Sequence, residues 1–295
     1  MPNFEGVFIP VPTPFRGEEL AVEQLKANLE RWNRTALAGY VVLGSTGEFP
    51  LLTEEERERV LGAAREAILP DKTFIAGTGA ESTQVTVRRT RWVAEIGADA
   101  AIVITPYYYK PALTQASAQV RHYLAVADAS PIPVMLYNFP RNTGVNLEPE
   151  TVARIAEHPN VCGIKDSSGN IVQAGQIIHQ TPKSFHVLVG AAAALLPALA
   201  LGASGGILAL ANIAAQEYCE IYRLARQGSW DEAREIAYRL MPVDRGVYAR
   251  YGLGGLKAAL DLEGFYGGPC RAPLPVPDGD AIEDIKEFLA AVGLL

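Results

Sequence analysis

The sequence predicts a single (β/α)8 barrel, the TIM barrel, with a helical C-terminal extension. The chain has 295 residues, of which 49% are hydrophobic, and this is enough apolar material for a large core. Short apolar runs occur eight times along the chain, and a helical pattern follows each of them. Eight strand–helix alternations are the number that closes a parallel sheet into a barrel without an edge strand.

The predicted strands are apolar runs without strict alternation, which is typical of parallel strands buried on both faces. They cover residues 7–14, 39–46, 73–79, 100–106, 133–140, 162–167, 185–190 and 205–211. The helical patterns between them cover residues 22–36, 53–69, 82–96, 114–127, 148–157, 171–180, 191–201 and 214–227. Thr53 and Glu56 have the spacing of a capping box, and Gly97 stands where a C-cap glycine is expected.

The chain continues for about seventy residues beyond the eighth helix. Helical patterns recur there at 230–240, 256–262 and 281–292. The predicted organisation is therefore a barrel over residues 1–227 and a helical extension over residues 228–295 that packs on it.

A doubly wound open sheet is the alternative fold. It would be favoured by G-x-G-x-x-G at the first strand–helix turn, but residues 12–17 are Pro-Thr-Pro-Phe-Arg-Gly, so a dinucleotide site is not supported. Residues 187–211 carry no charge over the length of a membrane span, yet Pro197 and five glycines or serines interrupt them. They are predicted to form a strand, a helix and a strand, and no membrane is expected as a partner.

Charge and cysteine usage exclude several classes of function. Lysine and arginine number 26 against 33 aspartates and glutamates, and a net charge of −7 is the wrong sign for binding nucleic acid. The three cysteines form no C-x-x-C pair, and the four histidines show no zincin spacing, so neither a disulfide framework nor a metal site is expected. The N-terminus carries an early acidic residue and no basic region before its apolar stretch, so a secretory or transit peptide is not expected and a cytoplasmic location is predicted.

Polar side chains gather where the predicted strands end, and active sites of (β/α)8 barrels lie at that face. They are the residues 44–48, 105–109, Tyr137, Asn138 and Lys165. This convergence predicts a site for a small molecule.

Lys165 is the most informative of these residues. The other six lysines lie in helical patterns or polar loops, where a solvated ammonium is expected, whereas Lys165 lies within an apolar strand. Desolvation lowers the pKa of a lysine and gives a free amine that attacks carbonyl groups. The alternative is a lysine at a strand end that pairs with Asp166 or extends to the rim of the barrel.

Two further candidates have equally plain alternatives. The turn that contains Gly44, Ser45 and Thr46 presents hydroxyls and backbone N–H groups that suit a carboxylate, or it is an ordinary glycine-rich loop. Tyr137 is either an acid–base group or a core residue. Strands seven and eight are followed by only one glycine, Gly190, where a phosphate cup would need more, so phosphorylated substrates are not expected.

Four segments on successive strands resemble the dihydrodipicolinate synthase and N-acetylneuraminate lyase superfamily of pyruvate-dependent class I aldolases. They are Gly-Ser-Thr-Gly-Glu at 44–48, Thr-Pro-Tyr-Tyr at 105–108, Tyr-Asn-Phe-Pro at 137–140 with Thr-Gly at 143–144, and Gly-Ile-Lys-Asp at 163–166. The similarity extends over nearly the whole chain.

The resemblance implies a role for each matching residue. Lys165 would form a Schiff base with a keto acid, Tyr137 would be the acid–base tyrosine, and Ser45 and Thr46 would bind the carboxylate and relay protons. Tyr108 would enter the site of a neighbouring subunit in a homotetramer built as a dimer of dimers. Neither a metal nor an organic cofactor is required by this chemistry.

The substrate branch depends on one position. Synthases of this superfamily carry an arginine two residues after the proline of Tyr-Asn-x-Pro, where Asn142 stands here, and Arg141 stands one place earlier. An amide does not replace a bidentate guanidinium. The segments 79–84, 140–144 and 266–273 resemble those of 4-hydroxy-2-oxoglutarate aldolases.

The predicted activity is therefore cleavage of 4-hydroxy-2-oxoglutarate to pyruvate and glyoxylate. The alternative is a dihydrodipicolinate synthase that condenses pyruvate with aspartate semialdehyde, and a further alternative is a non-catalytic barrel that only binds a keto acid. Gly190 and Ile207 complete the candidate substrate-binding residues. Whether Arg141 or Arg271 contacts the distal carboxylate of the substrate stays open.

Overall fold

A computed structural model of the protein describes residues 2–295. Eight parallel strands form a closed barrel in which each strand is followed around the barrel by the next one along the chain, and the eighth lies beside the first. They are β1 (Gly6–Pro10), β2 (Gly39–Val42), β3 (Thr73–Gly77), β4 (Ala100–Ile104), β5 (Val134–Asn138), β6 (Val161–Asp166), β7 (His186–Val189) and β8 (Gly205–Ile207). The predicted (β/α)8 barrel is confirmed.

Thirteen α-helices occur among the described residues. They are α1 (Val22–Trp32), α2 (Glu54–Ala67), α3 (Thr83–Ile96), α4 (Lys110–Leu113), α5 (Ala116–Ala129), α6 (Pro140–Thr143), α7 (Pro149–Ala156), α8 (Ile171–Gln180), α9 (Leu195–Ala200), α10 (Ala215–Gln227), α11 (Trp230–Val243), α12 (Arg250–Leu262) and α13 (Gly279–Ala291). A π-helical turn, Asp244–Ala249, joins α11 to α12, and a two-stranded hairpin pairs Phe15–Arg16 with Glu19–Leu20.

Local signals at helix ends agree with the structure. Thr53 accepts from the Glu56 amide, and the Glu56 carboxylate accepts from the Thr53 amide, so the predicted capping box is present at the start of α2. Gly97 ends α3 in the left-handed conformation, as expected of a C-cap glycine. The short helices α4 and α6 were not predicted, because four residues are too few to show a helical period.

The predicted strands extend too far at their C-terminal ends. Strand β2 ends at Val42 rather than at residue 46, and β1 ends at Pro10 rather than at residue 14. After β2 the backbone turns at once, since Leu43 has a φ of 60°. Apolar and small residues therefore continue past the hydrogen-bonded ladder into the loops that carry the candidate site.

Packing contacts divide the described chain into two units. The first contains the residues up to Gly6 together with Thr73–Ile207. Its core lies between strands β4 to β7 and the helices α5, α7 and α8. Tyr123 of α5 is fully buried there and donates its hydroxyl to the carbonyl of Val103 in β4 at 3.2 Å.

The second unit contains Val7–Lys72 and Leu208–Leu295. Trp32 at the end of α1 is buried, donates its indole N–H to the carbonyl of Asn212 at 2.9 Å and stacks on Phe265, with 5.1 Å between the ring centroids. Asn28 of α1 donates to the carbonyl of Tyr266 at 2.8 Å. The C-terminal residues thus pack on the first helix of the barrel. The domain boundary at 227/228 stays a prediction.

Residues 187–211 form β7, α9 and β8, as the interruptions in their apolar pattern predict. Among residues 2–295, no helix combines the length and the apolar character that crossing a membrane needs.

Candidate active site

Lys165 is buried in the wall of the barrel. It lies on β6 with Tyr137 of β5 as its register partner on one side and Leu188 of β7 on the other. Only 4% of Lys165 is exposed. The neighbouring strands therefore shield this lysine from water, as its place in an apolar run predicts.

The Lys165 amine lacks a counter-ion. Within the described part of the chain, its Nζ takes part in no salt bridge or hydrogen bond, and it lies over the Tyr137 ring, 4.3 Å from the ring centroid. Burial lowers the pKa of Lys165 from 10.5 to about 7. Near neutral pH, Lys165 is thus a neutral, nucleophilic amine in a large fraction of the molecules.

Asp166 is not the partner of Lys165, so this alternative is wrong. Successive side chains of a strand point to opposite faces, and Asp166 points away from Lys165. Its carboxylate accepts from Asn138 Nδ2 at 2.9 Å and from Ser168 Oγ at 2.8 Å. These bonds lie on the helix side of β6 and leave the lysine without a compensating charge.

Tyr137 is buried beside the lysine and stacks on Phe139, with 5.8 Å between the ring centroids. The structure therefore brings Tyr137 and Lys165 together, as expected of an acid–base tyrosine. A burial of this degree also fits a core residue, so its role stays a proposal.

Gly190 leaves room for the lysine. A Cβ built on Gly190 would overlap Ser167 Oγ and would lie 3.1 Å from Lys165 Cε, so a larger residue has no place there. Ser167 is a residue that sequence reasoning missed. It stands two positions after Lys165, directly beyond the end of β6, and the alternation of side chains in extended backbone is the signal that could have indicated it.

The loop after β2 carries the predicted carboxylate-binding groups. Leu43 and Glu48 bracket it and both have positive φ, 60° and 55°, which is costly for residues with a side chain. Thr46 is 4% exposed, and within the described residues neither its amide nor its hydroxyl has a hydrogen-bond partner. The loop thus presents donors that its own fold does not use.

A buried ion pair holds this loop, and here the expectation that all other lysines are solvated is wrong. Lys257 of α12 is 1% exposed, and its Nζ lies 2.6 Å from Glu48 Oε1. The helical pattern alone did not show that α12 packs Lys257 inward, because its partner lies 209 positions away.

The remaining predicted residues lie in different surroundings. Arg141 and Asn142 are exposed on α6, Ile207 is buried at the end of β8, and Tyr108 is 74% exposed. Arg271 donates to the two carboxylate oxygens of Glu56 from its two terminal nitrogens, Nη1 and Nη2, at 2.7 and 2.6 Å. This arginine is therefore engaged within the fold. No cluster of three or more metal-binding side chains occurs among residues 2–295.

Comparison with known proteins agrees with the geometry around Lys165. A family model described as the dihydrodipicolinate synthetase family matches residues 3–292. The chain belongs to this family. The family uses a lysine Schiff base with pyruvate and no external cofactor.

Two similar relatives and one solved structure illustrate the likeness. A 4-hydroxy-tetrahydrodipicolinate synthase of Methanosphaerula palustris is 37% identical over 97% of this chain and 99% of its own length. A 4-hydroxy-tetrahydrodipicolinate synthase of Methanoculleus marisnigri is 38% identical over 98% of this chain and 100% of its own length. The crystal structure of dihydrodipicolinate synthase from Aquifex aeolicus has a TM-score of 0.94 at 32% identity, with 99% of each chain covered. These names favour the alternative prediction, the synthase, over a 4-hydroxy-2-oxoglutarate aldolase.

The lowered pKa of Lys165 predicts how adduct formation depends on pH. The amine must be neutral to attack a ketone, so the rate of reductive trapping of pyruvate by cyanoborohydride should fall about tenfold per pH unit below pH 7 and level off above it. Intact mass should show one adduct per chain, and Lys165→Met should abolish it. A rate that keeps rising towards pH 10 would contradict a desolvated lysine.

Gly190→Ala should reduce activity much more than stability. The added methyl group collides with Ser167 Oγ and presses on Lys165 Cε, so the amine moves out of position; we expect turnover to fall about a hundredfold, as for other small misplacements of reacting groups. Gly62→Ala is the matched control, since its Cβ meets nothing within 4 Å and the helix α2 should gain up to about 1 kcal/mol. Equal turnover in both variants would show that the space at Gly190 is unimportant.

Proposed function

We propose that the protein condenses pyruvate with aspartate semialdehyde to 4-hydroxy-tetrahydrodipicolinate through a Schiff base on Lys165. The observation that carries the proposal is the buried amine without a counter-ion, whose pKa is about 7. A solvated lysine would be protonated at neutral pH and would not attack a ketone. The second substrate is inferred from the names of the relatives.

In the proposed reaction the Lys165 amine adds to the C2 ketone of pyruvate, and loss of water gives an iminium. The iminium draws electrons from C3, so a C3 proton leaves and an enamine forms. C3 then attacks the aldehyde carbon of aspartate semialdehyde, and the aldehyde oxygen takes up a proton. Attack of the substrate's amino group on C2 closes the ring and releases Lys165 as a free amine.

Tyr137 is the proposed proton carrier for these steps. Its ring lies beside the Lys165 amine, and a phenol there is within reach of groups that change charge during imine formation. Ser167, which directly follows β6 and borders the space at Gly190 together with Lys165, is a further polar group there.

Ser45, Thr46 and Gly44 are the proposed binding groups for the carboxylate of pyruvate. A carboxylate is an acceptor that suits the unused amide and hydroxyl of Thr46. Thr46 is also the proposed relay between the substrate and the solvent. This assignment gives a reason for the strained backbone of the loop after β2, because such strain is retained where it positions functional groups.

Arg141 is the proposed partner of the distal carboxylate of aspartate semialdehyde. Arg271 binds Glu56 and is held within its own unit, which leaves Arg141 as the favoured candidate of the two arginines considered. Arg141 is exposed on α6, which directly follows the strand that carries Tyr137. Asn142 beside it offers only a neutral amide.

Cleavage of 4-hydroxy-2-oxoglutarate to pyruvate and glyoxylate is the second candidate function. The observation that favours it is Asn142, which stands where synthases of the superfamily carry arginine. The same lysine chemistry run in reverse would break the C3–C4 bond. A barrel that binds keto acids without reacting remains the third candidate, and it predicts binding without a covalent adduct.

A side-by-side assay separates these candidates. We expect pyruvate to condense with aspartate semialdehyde more readily than 4-hydroxy-2-oxoglutarate is cleaved. Arg141→Ala should lower kcat/KM for aspartate semialdehyde roughly ten- to hundredfold, because it removes a charge-assisted contact of about 1.5–3 kcal/mol. Asn142→Ala is the control and should change this value little. Efficient cleavage without condensation would favour the second candidate, and the absence of any adduct would favour the third.

We further propose that the chain assembles as a homotetramer in which Tyr108 enters the site of a neighbouring subunit. Tyr108 is 74% and Tyr109 is 70% exposed, and their rings pack edge to face at 5.1 Å. The backbone N–H groups of Tyr107 and Tyr108 donate to the Glu81 carboxylate, and these bonds hold the backbone that carries the two exposed rings. Two large exposed aromatic side chains held in this way suit a contact between subunits.

Tyr108→Phe should lower turnover about a hundredfold while sedimentation shows the oligomer intact, because only the hydroxyl that takes part in proton transfer is lost. Tyr238→Phe is the control, since Tyr238 is likewise exposed but lies on α11. Monomers with full activity at assay concentration would contradict the proposal.

A further inference from the structure

The second unit contains a buried ion pair between Glu48 and Lys257. Glu48 directly follows Gly44–Gly47, the glycine-bounded segment that carries Ser45 and Thr46. Its side chain is fully buried, and Oε1 accepts from Lys257 Nζ at 2.6 Å while Oε2 accepts from the backbone N–H of Arg271 at 2.8 Å. Both oxygens of the carboxylate are thus held by the C-terminal residues.

Lys257 uses all of its hydrogen-bonding capacity. Besides Glu48, its ammonium donates to the carbonyls of Thr13 at 2.9 Å and Pro269 at 2.8 Å, and it lies 4.8 Å from the centroid of the Phe15 ring. An ammonium has three N–H donors, and three acceptors are present. The loop after β1, the loop after β2 and the C-terminal residues therefore meet at one nitrogen atom.

The surroundings fix this nitrogen closely. Gly267 passes so near to the backbone of Lys257 that a Cβ on it would overlap the Lys257 carbonyl, and this brings Pro269 onto the ammonium. Thr13 in turn donates its hydroxyl to the carbonyl of Gly47 at 2.7 Å. One contact at Gly47, through Thr13, and one at Glu48 thus connect the loop after β2 to Lys257.

The contacts oppose the strain of the loop. Glu48 has a φ of 55°, a left-handed conformation that a glutamate does not adopt without compensation. Without the ammonium, a buried carboxylate would turn towards water and take the backbone of the preceding residues with it. The orientation of the Thr46 amide and hydroxyl depends on that backbone.

We infer that Lys257 is a positioning residue: its ion pair with Glu48 holds the loop of Ser45 and Thr46 in the conformation that binds the carboxylate of the keto acid. The inference rests on the proposed function, in which these residues take the pyruvate carboxylate. It assigns a role in substrate binding to the C-terminal extension, which lies outside the eight strands. Lys257 acts through Glu48 and does not itself touch the substrate.

Two ketones test the inference, pyruvate and acetone, because acetone lacks the carboxylate but forms the same imine with a neutral lysine. Cyanoborohydride trapping is followed by the mass of the intact chain. In Lys257→Met the half-saturating concentration of pyruvate should rise at least about tenfold, the effect of losing a contact to a charged group. The trapping rate with acetone should stay within about twofold of the wild type.

A second variant separates positioning from stability. Glu48→Gln with Lys257→Met removes both charges and keeps the volume of both side chains, so the fold should recover even where Lys257→Met alone is unstable. Positioning predicts that pyruvate binding stays weak in this double variant while its Tm returns towards the wild type. Tyr251→Phe is the matched control, since it removes the hydrogen bond of α12 to Asp284 and touches nothing near Glu48.

The outcomes are distinct. Wild-type pyruvate binding in the stable double variant would overturn the inference, and so would an equal loss of pyruvate and acetone trapping. A wild type that traps no pyruvate at Lys165 would instead overturn the proposed function. Weak pyruvate trapping with normal acetone trapping supports both.

Discussion

The burial of one amine without a counter-ion is the condition on which the proposed chemistry depends. Lys165 lies in a strand whose neighbours on both sides are also buried, and the closed parallel barrel leaves this strand no open edge. Each unit by which the pKa falls corresponds to about 1.4 kcal/mol. The folded state therefore carries a cost of several kcal/mol, which the apolar burial of the strands must offset.

Two buried lysines of the same chain show how neighbours decide what a lysine does. Lys257 meets a carboxylate and two carbonyls, and these three acceptors hold its side chain within the fold. Lys165 meets a tyrosine ring and the space left by a glycine, and it is the proposed nucleophile. The difference lies in the acceptors that the fold supplies, since both side chains are almost completely buried.

In the proposed reaction, different segments after the strands bind different parts of the substrates. The loop after β2 is strained, buried and tied to the C-terminal residues, which suits the recognition of a carboxylate that every substrate of this chemistry carries. The short helix after β5 is exposed and holds Arg141 and Asn142 with few constraints. In the proposed reaction this helix is where differences in the second substrate are expected to be accommodated, because an exposed segment changes sequence without disturbing the barrel.

The sequence by itself determined the eight strand–helix alternations, the capping box of Thr53 and Glu56, and Lys165 as the lysine within an apolar strand. All of these are local patterns, in which the residues that interact are neighbours along the chain. Tertiary structure alone decided that Lys257 is buried, that Arg271 is engaged by Glu56, and that Ser167 and Gly190 shape the space beside Lys165. Those contacts join residues that lie from about twenty to more than two hundred positions apart. Burial and pairing of a charged side chain depend on such distant partners, and a periodic pattern in the sequence does not identify those partners.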